Sequence, residues 1–301
     1  MSVVPEQFAQ MIEVREGGAG QAWVEDLPGR VDALMEAWCL TGDGATRFGF
    51  VGIVVPVLGA DGTPLALKVS YPDDDNAGEA PALRAWAGDG AVRLFEQDET
   101  GFAMLLERLD PDRSLFAVPV DEAVGTIGAL LHRLHRTTAP PAVTRLSAVS
   151  ERWSQELPEE WRRLGITADR RLLDAALATV RELGPSAGDR MLHGDLHYGN
   201  VLAGTREPWL VIDPKGVAGD PAFDVVPCIW NRFEELVAEG DPHRAVRRRV
   251  DALCEAAGID REAAYRWTVA RAVDDLLWSA ADADDGGFGD DNVLIAEALV
   301  D

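Results

Sequence analysis

His193, Asp195 and Asn200, with Asp213 closing a later apolar run, are the residues of this chain whose types and spacing best suit chemistry. They read H-x-D-x-x-x-x-N and then an isolated D. Phosphoryl transfer needs one carboxylate to receive a hydroxyl proton, and an Asn and a second Asp to hold magnesium. Val201-Leu202-Ala203 and Trp209-Leu210-Val211-Ile212 are β-prone runs, separated by the turn-rich Gly204-Thr205-Arg206-Glu207-Pro208. Paired as a hairpin, they would set Asn200 and Asp213 side by side, about 5 Å apart as antiparallel partners are. Both side chains would then reach one cation, and an oxygen-only set completed by water and phosphate suits magnesium. Each residue alone has a plainer reading. An HGD tripeptide is common in loops, and an Asp after a strand often caps a helix.

Upstream lies a second constellation. Ile53-Val54-Val55-Pro56-Val57 and Leu65-Ala66-Leu67-Lys68-Val69 are β-rich runs joined by Gly59-Ala60-Asp61-Gly62-Thr63, whose Asp-Gly pair suits a hairpin loop. Lys68 interrupts an apolar strand, so it either snorkels from a sheet edge or has a buried anionic partner. In a kinase-like site the anions are nucleotide phosphates, with a helix Glu orienting the ammonium. Glu79 supplies that Glu at the start of the helical segment Glu79–Trp86.

These residues, with Leu105-Leu106-Glu107-Arg108-Leu109-Asp110-Pro111, Ile212-Asp213-Pro214-Lys215-Gly216 and Gly219-Asp220-Pro221-Ala222-Phe223-Asp224, carry a family resemblance. The chain resembles the aminoglycoside phosphotransferase superfamily, and within it the streptomycin 6-kinase and hydroxyurea kinase branch. The resemblance implies an α+β, bilobal protein-kinase-like fold, with a small β-rich N-lobe (1–109) and a larger helical C-lobe (110–301). It implies ATP and Mg2+ as cofactors. Lys68 would bind the nucleotide phosphates, Glu79 would pair with it, and Glu107 to Leu109 would be the hinge whose backbone meets the adenine edge. Asp195 would be the catalytic base, with Asn200 and Asp213 as magnesium ligands. Asp224 would brace the catalytic loop and His193 would be structural; His197 has no assigned role. One departure concerns the phosphate-covering loop. Protein kinases carry G-x-G-x-x-G there, and the glycines of Thr41–Phe50 do not match that spacing, so its covering residues stay unidentified.

The elements that must position these groups follow from patterning. An amphipathic helix over Arg30–Trp38 precedes strands ending at Phe102–Leu106. Val124, Ile127, Leu130, Leu131 and Leu134 fall at helical spacing and predict a helix over 121–136. His132 and His135 on it read as face or packing residues. Further helix is expected over 151–183 and from Ala222 to Leu299, broken by an acidic, glycine-rich loop at Asp282–Gly287.

Composition narrows the class. A hydrophobic fraction of 47% over 301 residues suffices for large cores. No run of apolar residues is long enough to span a bilayer and Met1–Gln10 lacks signal-peptide character. Cys39, Cys228 and Cys254 are scattered in apolar contexts and fit buried thiols. A cytoplasmic enzyme is expected, monomeric or weakly dimeric, without a membrane partner. The net charge of −24, from 28 basic and 52 acidic residues, disfavours nucleic acid. It favours a cationic substrate, although the same charge also serves solubility.

Three functions fit: a kinase for an aminocyclitol antibiotic, a kinase for another small hydroxyl or amine such as hydroxyurea, and a pseudokinase binding module. The last predicts loss of Lys68, Asp195, Asn200 or Asp213, and all four are present. A protein kinase is disfavoured by Gly194 in place of Arg and by the short interval between Asp213 and Asp224. In the family the acceptor pocket lies between the metal hairpin and the C-terminal helices, where acidic groups meet the substrate's cations. The corresponding residues here are Asp274, Asp275 and Trp278. Asp274 and Trp278 stand at i and i+4 and share a helix face.

Overall fold

The computed structural model of the protein describes residues 3–74, 76–281 and 288–300. The expected loop at Asp282–Gly287 lies outside them.

The chain begins with a helix, α1 (Glu6–Ala37), far longer than the segment predicted from Arg30. Gly17, Gly18, Gly20 and Pro28 interrupt the apolar periodicity and hide the helix from a pattern reading. Gly17 itself takes φ 61° and marks a kink. Tertiary burial overrides these breakers. Phe8, Ile12, Leu27 and Val31 of α1 pack on Ile53, Val55, Val57, Leu67 and Val69 of the first sheet.

That sheet contains β1 (Thr41–Gly42), β2 (Arg47–Phe48), β3 (Gly52–Leu58), β4 (Pro64–Ser70), β5 (Leu94–Gln97) and β6 (Ala103–Glu107). Its order is β1-β3-β4-β6-β5, with β2 also on β3 and every pairing antiparallel. The period of two decides where Lys68 goes. Leu65, Leu67 and Val69 turn toward α1, so Ala66, Lys68 and Ser70 turn to the opposite face. On that face sits α2 (Glu79–Trp86), whose Ala82, Leu83 and Trp86 belong to the core shared with the rest of the chain.

The chain leaves the first sheet after Glu107 and enters a second one at β7 (Asp110–Ser114). Next come α3 (Val120–Leu134), β8 (Thr144–Arg145), α4 (Leu146–Arg163) and α5 (Arg170–Glu182). The positions predicted to line one face of α3 are all buried. Then β9 (Arg190–Leu192), β10 (Val201–Ala203), β11 (Leu210–Val211) and β12 (Val217–Gly219) bracket the loops that carry the candidate site. They form two small sheets, ordered β11-β10-β7 and β8-β12-β9. The helices α6 (Pro227–Trp230), α7 (Phe233–Val237), α8 (Pro242–Ala257), α9 (Arg261–Ala281) and α10 (Phe288–Leu299) complete the second lobe. The architecture is bilobal and protein-kinase-like, a β-rich lobe above a helical one.

One further expectation fails at this level. Cys39 is exposed, whereas Cys228 and Cys254 are buried as expected. Cys39 has left-handed backbone, φ 52°, just past the end of α1, which turns it out of the core. No helix among the described residues is long and apolar enough to cross a membrane.

Candidate active site

The loop between β9 and β10 is held from beneath by buried polar groups. Asp224 is fully buried; its Oδ2 accepts the His193 N–H at 2.9 Å and its Oδ1 accepts the Gly194 N–H at 2.7 Å. His135 Nε2, from the end of α3, lies 2.9 Å from the same carboxylate. Burial would push the Asp224 carboxyl up, but His135, His193 and the Gly194 N–H outweigh it and hold the acid below its ordinary value. His135 is therefore more than a packing residue, correcting the expectation for that helix. Its partner lies far along the chain, beyond the reach of local spacing.

His193 orients the next link. Its Nδ1 accepts the Asp195 N–H at 3.2 Å, so its Nε2 carries the proton and donates to Ile212 O at 2.9 Å. Burial pushes the imidazole pKa down, against the pull of Asp224 and Asp195, and keeps it neutral. His193 thus ties the catalytic loop to the end of β11. Gly194, at φ 82°, makes the sharp turn that lets both ties form. Asn200 Nδ2 donates to Asp195 O at 2.9 Å, which leaves its Oδ1 as the acceptor not used by the loop.

The hairpin exists, with a register one residue away from that expected. Val201 pairs with Val211, and the Ile212 N–H donates to Asn200 O at 3.0 Å, so Asn200 stands opposite Ile212 rather than Asp213. The strand stops because Asp213 adopts left-handed backbone, φ 57°, a conformation costing a non-glycine residue roughly 1–2 kcal/mol. That turn throws its carboxylate toward the first sheet, where Oδ1 accepts a short hydrogen bond from Lys68 Nζ.

Lys68 joins the two lobes. It is 6% exposed, and Nζ also donates to both Glu79 oxygens, at 2.7 and 2.8 Å. The buried-partner reading of Lys68 is the right one of the two weighed from sequence. Burial would lower the ammonium's pKa, but Asp213 and Glu79 outweigh it and raise it. One ammonium serves two carboxylates, so the deeper acid is the one pushed toward its protonated form. Burial pushes Glu79 up to about 7, with Lys68 pulling it down and Asp213 pushing it up. Asp213, half-buried at the turn, is held below its ordinary value because Lys68 outweighs its desolvation.

Between β2 and β3 the chain makes the tight turn Gly49–Gly52, within the Thr41–Phe50 region whose glycines do not follow the kinase spacing. The Gly49 N–H donates to Gly52 O at 2.9 Å, and the Tyr71 N–H to Val51 O at 2.7 Å. Arg15 of α1 donates to Phe50 O at 2.9 Å.

At the hinge, Glu107 is already engaged. Its N–H donates to Arg93 O at 2.9 Å, and its carboxylate accepts from Arg206 at 2.9 and 3.2 Å. The Glu107 N–H and carboxylate are thus both engaged within the protein. Arg206, in the β10–β11 turn, also donates to Gly88 O and Ala91 O, at 2.8 and 3.0 Å. It pins that turn against the hinge, and nothing in its local sequence announced it. Leu109 is half-buried and packs on the main core.

On the acceptor side the structure separates the three candidates. Asp275 lies near enough to Asp195 to feel its charge, and its Oδ2 is buried without a hydrogen-bond partner. Burial pushes its carboxyl up to about 6, with Arg271 pulling it down and Asp195 pushing it up. Asp274 is pushed up to about 7, first by burial and then by Asp275. Trp278 is 64% exposed. His197 is partly fixed: Nδ1 accepts the Gly199 N–H at 3.1 Å, and its ring lies 5.6 Å from that of Trp230.

Among the described residues, no three His, Cys, Asp or Glu side chains gather as a metal cage. Asn200 and Asp213 instead offer two hard oxygen donors. A cation sharing its sphere with phosphate and water uses such a set.

This arrangement matches known folds and sequences. The aminoglycoside phosphotransferase APH(4)-Ia has the same fold, at TM-score 0.59 and 16% identity over 90% of this chain and 97% of its own. The chain is a small-molecule phosphotransferase of the protein-kinase-like class. Residues 37–286 match the profile of the aminoglycoside/hydroxyurea antibiotic resistance kinase family. Streptomycin 6-kinase of Streptomyces glaucescens is 43% identical over 98% of this chain and 96% of its own length. Hydroxyurea phosphotransferase of Kitasatospora aureofaciens is 42% identical over 100% of this chain and 87% of its own. The chain belongs to the aminoglycoside/hydroxyurea antibiotic resistance kinase family, whose phosphoryl donor is ATP.

Proposed function

We propose that this enzyme transfers the γ-phosphoryl group of ATP to a hydroxyl of a streptomycin-like aminocyclitol antibiotic and so confers resistance. The observation that carries the reading is the joined Lys68–Glu79–Asp213 cluster facing the loop of Asp195 and Asn200, in a chain 43% identical to a streptomycin 6-kinase throughout.

In this reading Lys68, oriented by Glu79, holds the nucleotide phosphates, and the backbone of Glu107 to Leu109 meets the adenine edge. Asn200 Oδ1 and the Asp213 carboxylate would hold Mg2+, which would supply charge neutralisation for the phosphoryl group when bound. Asp195 orients the acceptor hydroxyl and takes its proton as oxygen bonds to the γ-phosphorus and the bond to the β-phosphate oxygen breaks. ADP then carries off the electron pair. General-base assistance of this kind supplies about 10² to 10⁴ in rate. Lys68 stays protonated throughout and bears no proton-transfer role.

Asp275 carries the acceptor assignment. A buried carboxylate oxygen without a partner, beside a second carboxylate, is stabilised by a cation, and streptomycin-like acceptors bring guanidinium or ammonium groups. Hydroxyurea, the second reading, is favoured by the full-length likeness to a hydroxyurea phosphotransferase. It is uncharged and makes no use of Asp275. We place the reaction in the cytoplasm, in a monomer or weak homodimer, with no nucleic-acid or membrane partner. A coupled assay for ADP, run with streptomycin and with hydroxyurea on wild type and Asp275→Asn, tests the choice. Turnover with streptomycin whose acceptor KM rises in the variant supports the first reading. Turnover with hydroxyurea alone, indifferent to the substitution, replaces it with the second.

A further inference from the structure

The Asp-Pro-Lys-Gly turn that follows β11 contributes Asp213 to the site, and its lysine has no part in the reading above. Lys215 sits where three segments meet. Its N–H donates to His193 O at 2.8 Å, binding it to the catalytic loop, and its side chain starts against Gly194, where a Cβ would come within 3.1 Å of Lys215 Cβ. From there the ammonium reaches across to the segment before α2 and donates to Asn76 Oδ1 at 3.2 Å.

Asn76 is itself built in. It is 7% exposed, its N–H donates to Asp73 Oδ1 at 2.9 Å, and its Nδ2 donates to Asp73 Oδ2 at 2.8 Å. Its carbonyl accepts the Glu79 N–H at 3.2 Å, so the residue that receives Lys215 also fixes the backbone of the residue that orients Lys68. Two glycines bring the segments close enough for this. A Cβ on Gly78 would collide with the carbonyls of Lys215 and Gly216, and one on Gly216 would collide with Gly78. Gly216 also needs its left-handed backbone, φ 67°.

We infer that Lys215 is a positioning residue that tethers the Asp213 turn to the start of α2 through Asn76, keeping Glu79 and Asp213 on the same ammonium of Lys68. A helix free to swing would take Glu79 away from Lys68 while Asp213 stayed with the C-lobe. The tether and the glycine seam hold the pair in the aligned arrangement without a modified activation segment, which the short interval between Asp213 and Asp224 could hardly house. The inference rests on the roles proposed above for Glu79 and Asp213.

The test is a double-mutant cycle on Lys215→Met and Asn76→Ala, with KM for MgATP, KM for acceptor and kcat measured for each. Thermal melts accompany each variant. Either single variant raises the MgATP KM and lowers kcat, with kcat/KM for MgATP down about tenfold, as for losing one charge-assisted hydrogen bond at a reacting site. The acceptor KM stays put. The double variant is no worse than the worse single one, because both remove the same link. Lys215→Arg and Asn76→Asp, which keep a donor and an acceptor, recover most of the loss. A damaged Lys215→Met beside an unaffected Asn76→Ala overturns the tether, since the lysine would then act on something other than α2. Losses that multiply in the double variant overturn it too. Asp213→Asn in the same assay is the separate control. If that variant turns over normally, the site reading fails, whatever the cycle shows.

Discussion

The nucleotide end and the acceptor end of this site are built on opposite electrostatic plans. At the nucleotide end Lys68 answers Glu79 and Asp213, and every charge has a partner within hydrogen-bonding distance. At the proposed acceptor end Asp275 feels the charge of Asp195, Asp274 feels that of Asp275, and Arg271 acts on both. Arg271 is itself drawn off toward Phe223, donating to its carbonyl at 3.3 Å and lying 4.6 Å over its ring. A balanced end suits a ligand every enzyme of this kind shares, whose phosphates and metal arrive with charges of their own. An end left negative suits a ligand that brings positive charge. In the proposed reading the balanced half serves the reaction and the unbalanced half selects the acceptor.

The comparison breaks most directly at Asp195, which stands between the halves. Asp195→Asn lowers kcat by about 10² to 10⁴ while leaving MgATP affinity unchanged; rapid-quench turnover with calorimetric titration of nucleotide checks both. Lys68→Met unbalances the nucleotide end. It leaves Glu79 buried without its cation, an error costing about 3–5 kcal/mol, and urea melts register it as lost stability together with lost MgATP binding. Asp224→Ala leaves the N–H groups of His193 and Gly194 unsatisfied, at about 1–3 kcal/mol each. Hydrogen exchange then quickens in the His193–Asn200 loop, with kcat falling more than either KM.

The acceptor end answers to pH. Asp275 and Asp274 are raised by burial from ordinary values near 3.8 to about 6 and about 7. Acids raised in the folded state stabilise it fully below their unfolded pKa, and that contribution is lost as pH rises through the folded values. Between pH 4 and 7 the protein therefore loses stability through these two groups, while its affinity for a cationic acceptor grows. Asp275→Asn removes part of both trends. Its melting temperature gains on wild type at pH 8 relative to pH 5, and its acceptor KM loses pH dependence while the ATP KM does not move. The smallest effect is expected of Trp278→Ala. With that side chain 64% exposed, the melting temperature hardly moves and any change is confined to acceptor KM.

What could be read from sequence followed the range of each interaction. Lys68 was legible because a strand's period of two makes one lysine among Leu67 and Val69 conspicuous, and Glu79 because it opens a helix. The Asn200–Asp213 hairpin was legible in outline. Its register was not, because the left-handed turn at Asp213 is set by the pull of Lys68 from another sheet. His135 and Arg206 were illegible for the same reason. Each acts through partners across the fold, Asp224 for one and Glu107 for the other, and neither stands in a local pattern. Helix α1 was obscured by its own glycines and Pro28, since its stability comes from the sheet face it covers.

The central claim is that a proton leaves the acceptor through Asp195 as phosphorus moves from the balanced end to the unbalanced one. Following phosphorus by 31P NMR, with ATP, Mg2+ and streptomycin, tests it directly in wild type and Asp195→Asn. The expected wild-type spectrum gains ADP and an acceptor phosphomonoester in equal amounts, and the variant produces neither at a comparable rate although it binds MgATP. ADP with inorganic phosphate and no phosphomonoester, or equal turnover in the two proteins, would contradict the account.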